Sequence, residues 1–436
     1  MIHLSVPVKA ERRRVVVTGL GIICSLGLTL EECWSAIKKG CSGITPISNF
    51  CSAPLPISIA GEVKNFAPEQ FIQNRKSIKV MGRHIQLAVA AAQNAFQDSG
   101  LELGNFEPEQ LGVSFGTGTL NAEYHDFRDV LSASLNQGEL DYHIFGKEAQ
   151  QQVFPLWLLK YIPNMAASHV SIMLNARGPS NTITTLCTSS AHAIGEGFWM
   201  IRNGLADLMI TGGSDAQVTP LGMVKFTRLG LLAPNGGTPS EAGRPFDQSH
   251  CGMVMSEGAA VLILEELSHA LKRKAKTYGE IIGYGAATDT DDPLEAHPDG
   301  MALEIAAHHA LQDAESRLEE ISFVSLAGSG VPFMDIAEAR AMSRLFSECA
   351  CPPATAPKSM IGHTHAASGA MASLVAVLSL REGLLPPILN LRHPIPDFAA
   401  FPFFPVTTAL ATQSALVNTI SFGGNSACLV FKACNA

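Results

Sequence analysis

The chain is poor in charge: 16% of its 436 residues are Asp, Glu, Lys or Arg, and acidic groups outnumber basic ones, for a net charge of −9. A basic surplus that would favour broad binding to nucleic acid or to anionic membrane is therefore missing, although a local basic patch is still allowed. No run of ~18 or more apolar residues occurs, so no membrane span is expected. The ten cysteines form no CxxC pair, and no Cys/His spacing suits zinc, so no metal is expected. Cys349 and Cys351 are too close for an easy bridge. Reduced thiols imply a cytoplasmic protein. The first residues, MIHLSVPVKAERRR, place their basic side chains after the apolar ones, the reverse of a secretory signal. Low-complexity segments are absent too. With 47% hydrophobic residues the chain is far too apolar for disorder and long enough to need no covalent staple. Its length fits two or three domains, or one large fused architecture.

Short β-branched runs alternate with helical spacing. RVVVTGL (14–20) reads as a buried strand with a Gly turn, 31–39 as a helix, and HIQLAVAAAQNAFQD (84–98) as an amphipathic helix closed by Ser99 and Gly100. Residues 111–115 and 207–211 read as strands ending in Gly116-Thr117-Gly118 and Gly212-Gly213. The apolar run 259–265 fits a central strand buried on both faces. A similar order recurs: strand 279–284, helix 300–316, strand 322–326, helix 335–346, a buried helix over 371–380, and strands 417–421 and 428–432. Such alternation predicts an α/β fold with mainly parallel sheets. The recurrence predicts two similar halves, 12–267 and 278–434, joined by the charged stretch LSHALKRKAKTY.

Four stretches have the residue types that chemistry needs. In TTLCTSSAHAIG a β-rich run meets a helix starting near Cys187. A thiol there faces the positive helix end and free N–H groups, which lower its pKa and can stabilise an oxyanion. A buried structural thiol is the competing reading. In KSMIGHTHAASG, His363 opens an apolar helix and could donate Nε2–H to a thioester carbonyl, or be a structural imidazole; Lys358 alone reads as a surface charge. LAGSGVP is a tight Gly turn after a strand, which brings backbone close to a ligand or merely reverses the chain. In SFGGNS, Phe422 sits on flexible glycines at a pocket mouth, or in the core.

Together these stretches resemble the β-ketoacyl-[acyl-carrier-protein] synthases of fatty-acid and polyketide assembly, of the elongating type. The resemblance runs from VVVTGLGIICSLG through FGTGT, TTLCTSSAHAIGEG, RPFDQSHCGMVMSEGAAVLILEE and KSMIGHTHAASGA to SFGGNSACLVF. It implies the thiolase fold, two βαβαββ-type halves in a five-layer α/β arrangement, usually dimeric. It implies that Cys187 accepts an acyl chain from a carrier-protein phosphopantetheine, and that His363 stabilises the malonyl thioester oxygen as CO2 leaves. Lys358 matches the family lysine near the site. The backbone N–H groups of Cys187 and Phe422 match the oxyanion hole, and Phe226 and Phe422 match gating aromatics. An acyl carrier protein is the implied partner, its acidic helix facing basic residues such as Arg75, Lys76, Lys79 and Arg83. No metal or organic cofactor is implied, because the phosphopantetheine arrives with the carrier.

The pattern is broken in three places. Ala327 in AGSGV stands where elongating members carry a second histidine in an HGTGT-like motif. Ala372 replaces the family glutamate, and residues 290–294 (TDDPL) replace a Tyr-His-Met-Thr loop. AGSGVPFMDIAEARA and the altered loop are similar to chain-length factors, the synthase-like subunits that pair with an active synthase in type II polyketide systems. That branch usually lacks the cysteine this chain keeps. Three readings follow: a condensing enzyme without the second histidine, a non-elongating subunit of a ketosynthase heterodimer, or an enzyme that passes acyl groups on or hydrolyses them.

Overall fold

The computed structural model describes residues 12–118 and 124–434. Most of the N-terminal MIHLSVPVKAERRR stretch and the last residue of FGTGT lie outside these. Ten strands form one continuous sheet. In chain order they are β1 (Val15–Ile23), β2 (Leu111–Thr117), β3 (Ser180–Ile183), β4 (Leu208–Ala216), β5 (Glu257–Glu266), β6 (Gly279–Thr288), β7 (Phe323–Ser325), β8 (Ala354–Thr355), β9 (Ser414–Ile420) and β10 (Asn425–Lys432). The helices that shape the site are α1 (Arg83–Asp98), α2 (Met165–Leu174), α3 (Ser189–Arg202), α4 (Pro220–Arg228), α5 (Met301–Asp313), α6 (Pro332–Leu345) and α7 (Ser368–Glu382).

Across the sheet the order is β8-β7-β9-β10-β6-β1-β5-β4-β2-β3. Within the first five strands this is third, second, fourth, fifth, first; the last five give the same order when read from the opposite edge of the sheet. The repeat read from element order is thus a repeat of topology. The two five-stranded sheets are joined edge to edge by a short antiparallel pairing, Val15↔Ile281, Val16↔Glu280 and Val17↔Gly279. The cores do not respect the boundary: β1, β5, β10 and α7 contribute to one hydrophobic cluster.

The expectation of mainly parallel sheets needs correction. Four pairings are parallel and five antiparallel. The reason is visible in β9 and β10, which are joined by the short turn after Ile420. A turn that short can only return the chain antiparallel, since a parallel return needs a crossover. Strand β4 also passes through Gly212 and Gly213 instead of ending there. A Cβ on Gly213 would lie 2.8 Å from the Ala366 carbonyl oxygen and from that of Gly116, so glycine lets the strand slide beneath the turn that carries His365.

Helices α3 and α7 pack together between the two halves' sheets, with α1 and α2 outside the first half and α5 outside the second. α7 is buried all round, from Ser368 to Leu380, which is what a middle layer demands. A Cβ on Gly369 would sit 2.8 Å from the Ala191 backbone nitrogen and Cβ, so only glycine lets the two central helices meet at their starts. No helix among the described residues is long and apolar enough to cross a membrane.

Candidate active site

Each half delivers one turn to the gap between the central helices. In the first half β3 leads to the 3-10 turn Leu186–Thr188 and then to α3. In the second half the helical turn Lys358–Ile361 leads to the 3-10 turn His365–Ala367 and then to α7. Both 3-10 turns open on a residue in the left-handed region, Leu186 at φ 54° and His365 at φ 42°. Such backbone is costly for residues other than glycine and is held only where the surroundings enforce it.

The result is a compact cluster. The Cys187 sulfur and one ring nitrogen each of His363 and His365 all lie within 4.8 Å of one another, and all three residues are buried. The chain spacing of 176 residues between Cys187 and His363 hid this grouping from any short-motif search. The set is one donor short of a closed four-ligand zinc site, and its chemistry is that of a thiol flanked by proton carriers.

His363 Nδ1 accepts the backbone N–H of His365 at 3.2 Å. The ring proton therefore sits on Nε2, which has no partner among the described residues. A buried N–H without an acceptor is a donor kept ready for an oxygen that arrives with a ligand. Burial, with the Lys358 charge, holds His363 well below the usual imidazole range, so it is neutral.

Cys187 departs from expectation. Burial pushes its thiol up to about 11, against the pull of the Lys358 charge. The closed site holds a thiol, since burial outweighs the helix end. The Cys187 N–H also is not free: it donates to Ser421 Oγ at 3.1 Å, and that hydroxyl donates to Thr185 O at 2.8 Å. Phe422 follows β9 and is buried. Its N–H has no hydrogen bond among the described residues, so one of the two expected oxyanion donors is open and the other is capped by Ser421.

Lys358 is no surface charge. Its Nζ donates to Ala327 O at 2.7 Å, and burial lowers its pKa while the Cys187 sulfur pulls it back up. On the other side of the same peptide, the N–H groups of Ala327 and Gly328 donate to Glu338 at 2.8 and 2.9 Å. Asp335, one turn earlier on α6, accepts from the N–H groups of Ser329, Gly330 and Phe246. The AGSG turn is thus clamped by two buried carboxylates, with Gly328 and Gly330 at positive φ. Sequence reasoning missed this clamp, although Asp335 and Glu338 share a helix face at a spacing of three. The Ala327 methyl and Ala372 line a small cavity beside Lys358.

The ring of Phe226, on α4, stacks on His365 with centroids 4.6 Å apart. Burial, with the charges of Lys225 and Lys358, lowers His365 to about 3. Of the basic segment, Arg75, Lys76 and Lys79 are exposed. Arg83 is different: it binds buried Glu257 at 2.6 Å and the Val63 carbonyl, so it has a structural task.

A mixed α/β protein with a buried cysteine at the start of one central helix and histidines at the start of the other belongs to the thiolase-like class. The family comparison sharpens this. The model "Beta-ketoacyl synthase, N-terminal domain" matches residues 12–270, and "Beta-ketoacyl synthase, C-terminal domain" matches 278–392. The chain is 35% identical over 424 residues to the 3-oxoacyl-[acyl-carrier-protein] synthase 2 of Synechocystis, covering 97% of this chain and 98% of that one. A solved structure of the ishigamide ketosynthase/chain length factor matches at TM-score 0.87 and 30% identity, over 98% of this chain and 100% of that one. The ketosynthase assembly of a type II PKS, AntDE with the acyl-carrier protein AntF, matches at TM-score 0.86 and 27% identity, over 98% and 100%. The chain belongs to the β-ketoacyl synthase family, whose work is condensation in fatty-acid and polyketide assembly.

Proposed function

We propose that the chain takes an acyl group from an acyl carrier protein onto Cys187 and presents it for carbon–carbon bond formation. The observation that carries this reading is the meeting of Cys187 with the unpartnered Nε2–H of His363 in one buried cluster. In the first stage the sulfur attacks the thioester carbonyl, and the oxyanion takes the Phe422 N–H together with the Cys187 N–H once Ser421 turns away. In the second stage a malonyl thioester oxygen takes the His363 Nε2–H while CO2 leaves. Lys358 contributes positive charge beside the sulfur. Phe226 and Phe422 stand where gating aromatics would open the path.

The second stage is the weak one. Ala327 has no side-chain donor, and a missing donor of this kind typically costs about 10²–10³ in rate. The cavity lined by both Ala327 and Ala372 supports the alternative, a non-elongating subunit resembling a chain-length factor, paired with a ketosynthase paralogue rather than with itself. Intact-mass spectrometry after incubation with an acyl-carrier-protein thioester tests the first stage: a mass gain located at Cys187 supports it, and no gain refutes it for the isolated chain. Co-purification with a paralogue bearing a full HGTGT motif supports the alternative.

A further inference from the structure

We propose that His365 is the general base that takes the proton from Cys187 during acyl transfer, leaving His363 as a donor only. The inference rests on the reading of Cys187 as the acyl acceptor.

The geometry divides the labour between two adjacent imidazoles. His363 has its Nδ1 lone pair engaged by the His365 N–H, which leaves Nε2 carrying a proton. It offers a hydrogen bond but no lone pair, and so cannot receive the thiol proton. The rings of His363 and His365 lie with centroids 4.6 Å apart. His365 has the complementary pattern. Its Nε2 lies 3.2 Å from the Met255 sulfur, a weak acceptor, which makes Nε2 the protonated nitrogen. Its Nδ1 is buried and has no partner among the described residues. One ring nitrogen of His365 lies within 4.8 Å of the Cys187 sulfur. Of the two imidazoles at this sulfur, His365 alone keeps a free lone pair.

The position is built, too. His365 sits in the left-handed region, and its ring reaches Phe226 and Met255 of the first half. Phe226 stacks on one face of the ring and fixes its plane. The Ala366 N–H, one residue on, is tied to Asp215, so the turn cannot drift. Lys358, Lys225 and Asp215 are the charged groups facing this cluster. A buried thiol and a buried neutral imidazole are both poor at ionising alone, but proton transfer between them creates an ion pair in which each charge supports the other.

The step balances. As sulfur attacks the carbonyl carbon, the S–H proton moves to His365 and the carbonyl oxygen takes the electron pair. When the tetrahedral adduct collapses, the bond from carbonyl carbon to pantetheine sulfur breaks. That sulfur takes the proton from His365 and departs as a thiol, and His365 returns neutral.

The experiment compares wild type with His365→Gln, His365→Leu and His363→Gln in two assays. The first is acyl uptake from hexanoyl-acyl carrier protein, followed by intact mass. The second is the pH profile of Cys187 alkylation by iodoacetamide, which needs no acyl donor. Both His365 variants should slow acyl uptake by about 10²-fold or more and lose the alkylation seen near neutral pH, whereas His363→Gln should keep that alkylation. Acyl uptake within about twofold of wild type in both His365 variants, with superimposable alkylation profiles, overturns the assignment. If wild type takes up no acyl group, the proposed function fails and the alkylation profiles alone decide the proton-acceptor role. If neither variant folds, a wild-type profile that shows no alkylation near neutral pH and a single buried-thiol titration overturns it.

Discussion

The two turns that meet at the site can be compared residue by residue. Leu186-Cys187-Thr188 and His365-Ala366-Ala367 hold the same place in the two halves: each precedes a central helix, each is 3-10, and each opens on a left-handed residue. In that alignment Cys187 is the counterpart of Ala366, and His365 the counterpart of Leu186. One half supplies sulfur and an apolar neighbour; the other supplies imidazole and a methyl. The turn after β7 is locked to Lys358, Glu338 and Asp335, and there the chain carries Ala327 instead of a donor. Duplicate scaffolds thus allow one half to keep the nucleophile while the other sets out the groups that serve it.

Breaking the asymmetry at its centre has the largest expected effect. Cys187→Ala makes the two turns alike in chemistry, and acyl uptake measured by intact mass should vanish, with the thermal melt little changed because Ala fits the turn at Ala366. Uptake that persists at another residue would remove Cys187 from the mechanism. Ala327→His tests the other half. Malonyl-carrier decarboxylation, followed as CO2 release, should rise by about 10²–10³ when the donor returns. Equal and high rates in both proteins would show that the missing donor is made good elsewhere in the site.

The meeting of the halves is the next target. Gly369→Ala places a methyl 2.8 Å from the Ala191 nitrogen at the start of α3. The clash is with backbone, so α7 must move and carry the His363–His365 turn away from Cys187. A loss of about 3 kcal/mol in unfolding free energy is expected, with slower alkylation of Cys187. Unchanged stability together with unchanged alkylation would show that the central helices are not held at this contact.

Much of the fold was readable because its elements are strongly patterned. The Ala-rich spacing of 84–98 appears as α1, and the apolar run 259–265 as the fully buried β5. The parallel expectation failed because strand direction depends on connections rather than on strand composition. The Gly212-Gly213 pair read as an end because nothing local says that a carbonyl from residue 366 lies against it. At the site, Cys187, His363 and Lys358 were legible as motif positions and do converge. The reversed shift of the thiol was not, since burial is set by layers from the whole chain. His365 lay in plain view inside GHTHAASG, and its free lone pair emerges only with the hydrogen bond that occupies its neighbour.

The smallest effect concerns the clamp on the turn after β7. Glu338 lies buried between the Ala327 and Gly328 N–H groups and the Asn418 amide, and burial raises its carboxyl to about 6 from 4.5. The folded chain therefore holds this proton more tightly than the unfolded chain does. Between pH 4.5 and 6 the folded state binds more protons, so Glu338 makes stability fall as pH rises through that window. A shift of this size corresponds to about 2 kcal/mol across the window. Glu338→Gln keeps one acceptor and cannot titrate. Its unfolding free energy, from urea melts at pH 4.5 and 6.5, should lose that part of the slope, while Asp215, lifted by burial to about 6, keeps a slope of the same sign in both proteins. A slope that is unchanged in Glu338→Gln would place the titration at Asp215 instead.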